Sequence, residues 1–219
     1  IAAIKRGDTK YTPVNGILPL RQAIAVKLKQ RTGHAYDPGC ITVGGGAKQI
    51  IFLALTATLD PGSEVIIPAP YWVSYPDMVA GNDGTPVMVT CPQSQQFKIT
   101  AAQVEAAITP KTRWLILNTP SNPTGIAYSG DELRAIAAVL VKHPHVGVLT
   151  DEIYDELWYE PGAIASLVQI APQLADRVLL VNGVSKTYAM TGWRIGYAAG
   201  PQPLIDAINV LQSQSSSCP

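Results

Sequence analysis

Residues 177–200 read RVLLVNGVSKTYAMTGWRIGYAAG. A continuous apolar run, residues 178–181, stops at Asn182. A turn with one lysine, Lys186, follows, and Arg194 opens a second short run eight residues later. Apolar runs this short, without polar alternation, suit strands covered on both faces. The pattern recurs at VGVLTD (146–151), TRWLILN (112–118), TPVMVT (85–90), EVIIPAP (64–70) and CITV (40–43). Between these runs the apolar spacing becomes helical. PLRQAIAVKLKQRTG (19–33) stops at Gly33, and AKQIIFLALTATLDPG (47–62) is ended by Asp60-Pro61-Gly62. YWVSYPDMVAG (71–81) predicts a short helix and QPLIDAINVLQ (202–212) a last one. TAAQVEAAI (100–108) and SGDELRAIAAVLVKH (129–143) open with Thr100/Gln103 and Ser129/Glu132, the spacing of a capping box. Apolar strands alternating with helices predict an α/β chain: three layers, α/β/α, around a mostly parallel central sheet.

Composition narrows the function. The 219 residues suit one α/β domain or two small ones, with 47% hydrophobic and 15% charged residues, enough for a sizeable core. Sixteen basic residues balance sixteen acidic ones and no basic stripe occurs, which argues against a nucleic-acid partner. No apolar run approaches the roughly 18 residues of a membrane span. Cys40, Cys91 and Cys218 are far apart, without zinc or CxxC spacing, and read as thiols of a reducing, cytoplasmic compartment. His34, His143 and His145 lie near helix ends or loops and read as solvated or capping side chains. No metal site is expected.

Ligands of open α/β sheets bind beyond the carboxyl ends of strands. There the chain places GGGAKQ after CITV, Tyr71 and Trp72 after EVIIP, and Asn118 then Asn122 after WLIL. Asp151, Glu152 and Tyr154 follow VGVLT, and Ser185 and Lys186 follow VLLV. Each has an ordinary structural reading: a cap for Asp151, a turn for Asn122-Pro123, a tight bend for the glycines, a surface charge for Lys186. Together they match one ligand chemistry. A glycine-rich helix start at Gly46, Ala47 and Lys48 offers free amides and a positive dipole end to a phosphate, and Arg194 offers a bidentate clamp. Trp72 offers a flat face. Asp151 pairs with a ring nitrogen, Asn122 and Tyr154 with a ring oxygen, and Lys186 condenses with an aldehyde. Pyridoxal 5′-phosphate uses all of these. A dinucleotide matches less well, because GGGAKQ is a poor GxGxxG and no acidic residue stands where a ribose would need it. A P-loop is excluded, since no GK[ST] follows.

As an ordered set, KYTPVNGILPLRQAI, ITVGGGAKQ, PAPYWVSYPDMV, NTPSNPTG, TDEIYDELWY and SKTYAMTGWRIGY resemble the class I/II aminotransferases of fold type I, near the bacterial aspartate aminotransferases. The resemblance runs from about Lys10 to Gln214. It implies an aminotransferase that moves an amino group between an amino acid and a 2-oxo acid by a ping-pong route. Lys186 is implied as the lysine bound to the aldehyde, with Asp151 at the pyridine nitrogen and Tyr154 and Asn122 at the phenolic oxygen. Trp72 is implied on the ring, and Ala47, Lys48 and Arg194 at the phosphate. Lys48 is further implied to face the distal carboxylate of aspartate or glutamate; Trp72 and Asn122 also face substrate. Tyr11 resembles a tyrosine that reaches the neighbouring subunit's phosphate, which implies a homodimer with shared sites. Several relatives carry a serine three residues before the lysine. Here that position is Gly183, and Ser185 is the hydroxyl available instead. The resemblance also implies that residues 1–219 are an incomplete cofactor-binding large domain, lacking an N-terminal arm and a C-terminal small domain with the arginine for the substrate α-carboxylate. Other fold type I chemistry, such as a C–S lyase or decarboxylase, a cofactor-binding sensor and an inactive piece remain open.

Overall fold

A computed structural model describes residues 1–219. Seven strands form one sheet: β1 (Ile41–Gly44), β2 (Glu64–Ala69), β3 (Thr85–Thr90), β4 (Thr112–Asn118), β5 (Gly147–Asp151), β6 (Val178–Gly183) and β7 (Gly196–Ala199). Their spatial order is β1-β7-β6-β5-β4-β2-β3. The neighbours from β3 to β6 pair in parallel, while β7 runs antiparallel to both β6 and β1. The helices are α1 (Ala2–Lys5), α2 (Leu18–Thr32), α3 (Ala47–Thr58), α4 (Ser74–Ala80), α5 (Ala101–Ala107), α6 (Gly130–Lys142), α7 (Leu167–Ile170) and α8 (Gln202–Ser215).

Strand pleating divides the core. Leu115, Leu117, Val178 and Leu180 face one side and pack with Ile24 and Leu28 of α2, Val104 of α5 and Leu133 and Ile136 of α6. Their strand neighbours Trp114, Ile116, Leu179 and Val181 face the other side and meet Ile50 of α3, Val79 of α4 and Ile205 of α8. Three α/β/α layers result, because the central strands β4, β5 and β6 bury both of their faces.

Local signals set most element ends. Both capping boxes form, at Thr100 with Gln103 and at Ser129 with Glu132. Gly33 ends α2 in the left-handed region at φ 72°. Several boundaries differ from the pattern, among them the end of α8, which runs to Ser215, three residues past the expected Gln212. The short helix expected from residue 71 begins only at Ser74, which leaves Tyr71 and Trp72 on a loop at the strand end. The helix from Ala47 stops at Thr58, ahead of the Asp60-Pro61 turn. The strand expected from residue 194 begins at Gly196, because Arg194 adopts a left-handed conformation, φ 56°. No helix is long and apolar enough to cross a membrane.

Candidate active site

The carboxyl ends of β1, β2, β4, β5 and β6 converge on a cavity of about 340 Å³. Its lining includes Ala47, Lys48, Trp72, Asn122, Asp151, Tyr154, Ser185, Lys186 and Arg194. The volume lies at the lower end of the range for small-molecule sites, about 300–1,000 Å³. Six stretches spread over nearly 150 residues thus meet in one place.

The glycine end is built by close approach. Gly46 caps α3 at φ 102°, a conformation that side chains rarely adopt, and a Cβ there would collide with the Arg194 guanidinium. A Cβ on Gly196 would collide with the backbone of Gly46 and Ala47. The absent side chains therefore let β7 press Arg194 over the start of α3. Arg194 Nη1 donates to Thr191 O at 2.8 Å and Nη2 to Gly45 O at 3.1 Å. The amides of Ala47 and Lys48 have no backbone acceptor, as befits a helix start. Two unpaired amides, the helix dipole and a guanidinium make an anion-binding corner.

At the opposite end Asp151 closes β5. It is 4% exposed. Burial pushes its carboxyl up to about 6, against the pull of hydrogen bonds from the Tyr75 hydroxyl and the Ile153 amide. Tyr75 Oη donates to Asp151 Oδ2 at 2.7 Å. Asn118 ties two parts of the wall together: its Nδ2 donates to Asp151 O at 2.9 Å and its Oδ1 accepts from Asn122 N at 2.7 Å. Burial and the Asp151 charge push the Tyr154 phenol up, and a hydrogen bond donated by the Asn122 amide pulls it back. Lys186 is half-buried, its Nζ 5.9 Å from the Tyr154 ring centre. Lys48 Nζ sits 4.8 Å from the Trp72 ring centre. A carboxylate, an amine and an anion corner thus face one cavity.

Not every candidate is brought here. Tyr11 is 89% exposed and borders a separate cleft with Thr12 and Ser213. Tyr71 turns into a neighbouring crevice of about 20 Å³. None of the histidines or cysteines lines the cavity. His143 pairs with Glu105 at 2.9 Å, and the cysteines are free thiols. No cluster of three His, Cys, Asp or Glu side chains is arranged to hold a metal ion.

Comparison with known proteins decides the family. The profile described as aminotransferase class I and II matches residues 2–219. The chain belongs to the class I and II aminotransferases. It is 57% identical, over 99% of its length, to a probable aspartate/prephenate aminotransferase of Rhizobium leguminosarum bv. phaseoli, of which it covers 54%. An aspartate/prephenate aminotransferase of Cereibacter sphaeroides is 55% identical over 99% of this chain and 54% of its own length. The crystal structure of the aspartate aminotransferase from Rhizobium meliloti superposes with a TM-score of 0.97 at 53% identity, over 100% of this chain and 55% of that one. An aromatic aminotransferase from Pyrococcus horikoshii reaches 0.94 at 38% identity, over 100% of this chain and 58% of that one. The chain thus spans about half the length of the relatives it matches.

In this aminotransferase chain, sequence reasoning passed over a polar lining residue, Tyr75. Asn118, marked in the sequence at its strand end but without a role, does line the cavity. Tyr75 reads as a core aromatic, although its place one helical turn after Trp72 is a usable signal. The two rings meet edge-on, with centres 5.2 Å apart. Removing the Tyr75 hydroxyl should leave Asp151 buried with one donor fewer. Tyr75→Phe is therefore expected to raise Asp151 above about 6 by roughly one further unit, since a hydrogen bond to a charged group contributes about 1.5–3 kcal/mol. A carbon-13 titration of the carboxyl would read this directly, and an unmoved midpoint would remove Tyr75 from the account.

Proposed function

We propose that the chain carries the cofactor-binding centre of a pyridoxal-phosphate-dependent aminotransferase acting on dicarboxylic amino acids. One observation carries the reading: Lys186, buried Asp151 and the Arg194 corner bound the same cavity. The residues suit the cofactor at each point. The Ala47 and Lys48 amides and Arg194 would bind its phosphate, and Trp72 would lie against its ring. Asn122 and Tyr154 would bond its phenolic oxygen, and Ser185 offers a further hydroxyl. When bound, the cofactor supplies an electrophilic aldehyde and an electron-withdrawing ring. Lys186 would supply the amine that holds the aldehyde and, as a free amine, the base for the substrate α-proton. Asp151 holds a proton at the ring nitrogen. Two half-reactions, one releasing a 2-oxo acid and one consuming another, make the cycle ping-pong.

Lys48 bears on substrate choice. Its ammonium lines the cavity beside Trp72, where a second carboxylate of the substrate would meet it. Aspartate, glutamate and prephenate all carry one, and prephenate appears in the names of two relatives described above. Lys48→Ala in the whole enzyme should lower kcat/KM for aspartate by about 10- to 100-fold, the effect of losing one charged hydrogen bond, and for aromatic donors by under about threefold. Equal losses for both classes would end the selective role. Tyr11, outside the cavity of its own chain, is assigned to the site of a second copy in a homodimer.

The direct test is to reduce the pyridoxal-phosphate complex with borohydride and map the modified peptide by mass spectrometry. A pyridoxyl group on Lys186 is expected. A folded protein without that adduct would overturn the reading. Product analysis separates transamination from C–S lysis or decarboxylation, which would use the same residues.

A further inference from the structure

Beneath the cavity floor lies a buried ionic cluster that the proposed chemistry does not use. Arg31 of α2 reaches Glu152 through Nη2, and its Nε stands 3.1 Å from Asp155 Oδ2. The Glu152 and Asp155 side chains have no exposed surface. Ser166 Oγ donates to Glu152 Oε1 at 2.9 Å, and Asn182 Nδ2 donates to Asp155 Oδ2 at 2.9 Å. Glu152 and Asp155 alternate with Asp151 and Tyr154 along a single turn, in which the Asp155 amide bonds Glu152 O at 3.0 Å. One pair of side chains faces the cavity and the other pair is gripped below. Asn182 extends the grip to the second loop, since it lies in β6 four residues before Lys186 and also accepts from Gly183 N at 2.7 Å.

The cluster is poorly suited to a purely stabilising role. Buried ion pairs lose in desolvation much of what they gain in attraction, and apolar replacements often do as well. Here two carboxylates face one guanidinium, and burial pushes the Glu152 carboxyl up despite Arg31. Arg31 Nη1 and Asp155 Oδ1 are buried without a partner. An imperfectly paired cluster, placed where three cavity residues are anchored, has its best account in geometry.

We propose that Arg31 is a positioning residue: through Glu152, Asp155 and Asn182 it sets the loops that present Asp151, Tyr154 and Lys186 to the cavity. This rests on the cofactor reading above. It implies that cofactor affinity depends on a side chain that touches neither cofactor nor substrate.

The experiment measures the dissociation constant for pyridoxal phosphate, by fluorescence titration of the full-length enzyme, alongside thermal unfolding. Arg31→Met and Glu152→Gln are each expected to weaken binding at least tenfold, and the double variant no more than the weaker-binding single, because both cut one link. Leu133→Ala, a core truncation in α6 away from the cavity, serves as the control for lost stability and should bind within threefold of wild type. A folded Arg31→Met enzyme that binds within threefold of wild type, strictly additive losses, or an equal loss in the control would overturn the proposal. Should Arg31→Met not fold, Ser166→Ala removes only the hydroxyl bonded to Glu152. A threefold or larger loss upholds the link, and unchanged binding breaks it. Wild-type enzyme that does not bind pyridoxal phosphate would instead sink the cofactor reading, and this inference with it.

Discussion

Lys186→Ala is expected to abolish the borohydride-trapped pyridoxyl adduct and to lower turnover by roughly 10,000-fold or more, since in the proposed function one amine would serve as both nucleophile and proton carrier. The structure argues that nothing replaces it. No other lysine but Lys48 lines the cavity, and Lys48 sits against Trp72 near the helix start. The histidines, the usual substitutes for a lost base, all lie outside. Cofactor should still bind noncovalently, because the Arg194 corner and Asp151 are untouched. The measurement pairs peptide mapping with single-turnover kinetics. An adduct appearing on another lysine, or activity within tenfold of wild type, would disprove the assignment.

Asp151→Asn is expected to move activity and stability in opposite directions. Asparagine retains an acceptor for the Tyr75 hydroxyl but cannot hold a proton at a ring nitrogen through a charge. Losing one preorganised electrostatic partner costs about 100- to 1,000-fold in rate. Stability should rise. Burial places Asp151 at about 6, above its ordinary 3.8, so the folded protein keeps a proton that the unfolded chain releases. The stability this proton contributes is fully present below pH 3.8 and is lost as pH rises through about 6. At pH 7–8 the ionised, ligand-free wild type therefore carries a penalty of about 3 kcal/mol that the asparagine variant escapes. Urea unfolding of the ligand-free proteins should show the variant more stable at pH 8 and the difference shrinking towards pH 4. A variant less stable at pH 8 would refute the buried-charge account. Such a trade is expected where a site stores an unfavourable group for function.

Much of this was legible in sequence because two periodicities are local. The 112–118 run became β4 without a shifted residue, and both capping boxes formed where Thr100/Gln103 and Ser129/Glu132 predict them. The strand-end rule then drew attention to Asn122, Asp151, Tyr154, Lys186 and Trp72, all of which line one cavity. Tyr71 stood at the same strand end and turned elsewhere, since residue order says where a side chain starts and not which neighbour it meets.

By itself, then, the sequence determined the elements, their sorting into an α/β layer plan and the polar groups at the strand ends. These follow from side-chain spacing and caps, which act over a few residues. Only the tertiary structure decided that β7 runs against its neighbours, which brings Arg194, ahead of that strand, to the edge where the other strands end. It alone set Tyr75 on Asp151 and carried Arg31 under a loop 121 residues away. Those contacts depend on how layers stack and on which buried charge must find a partner, and no local pattern encodes either.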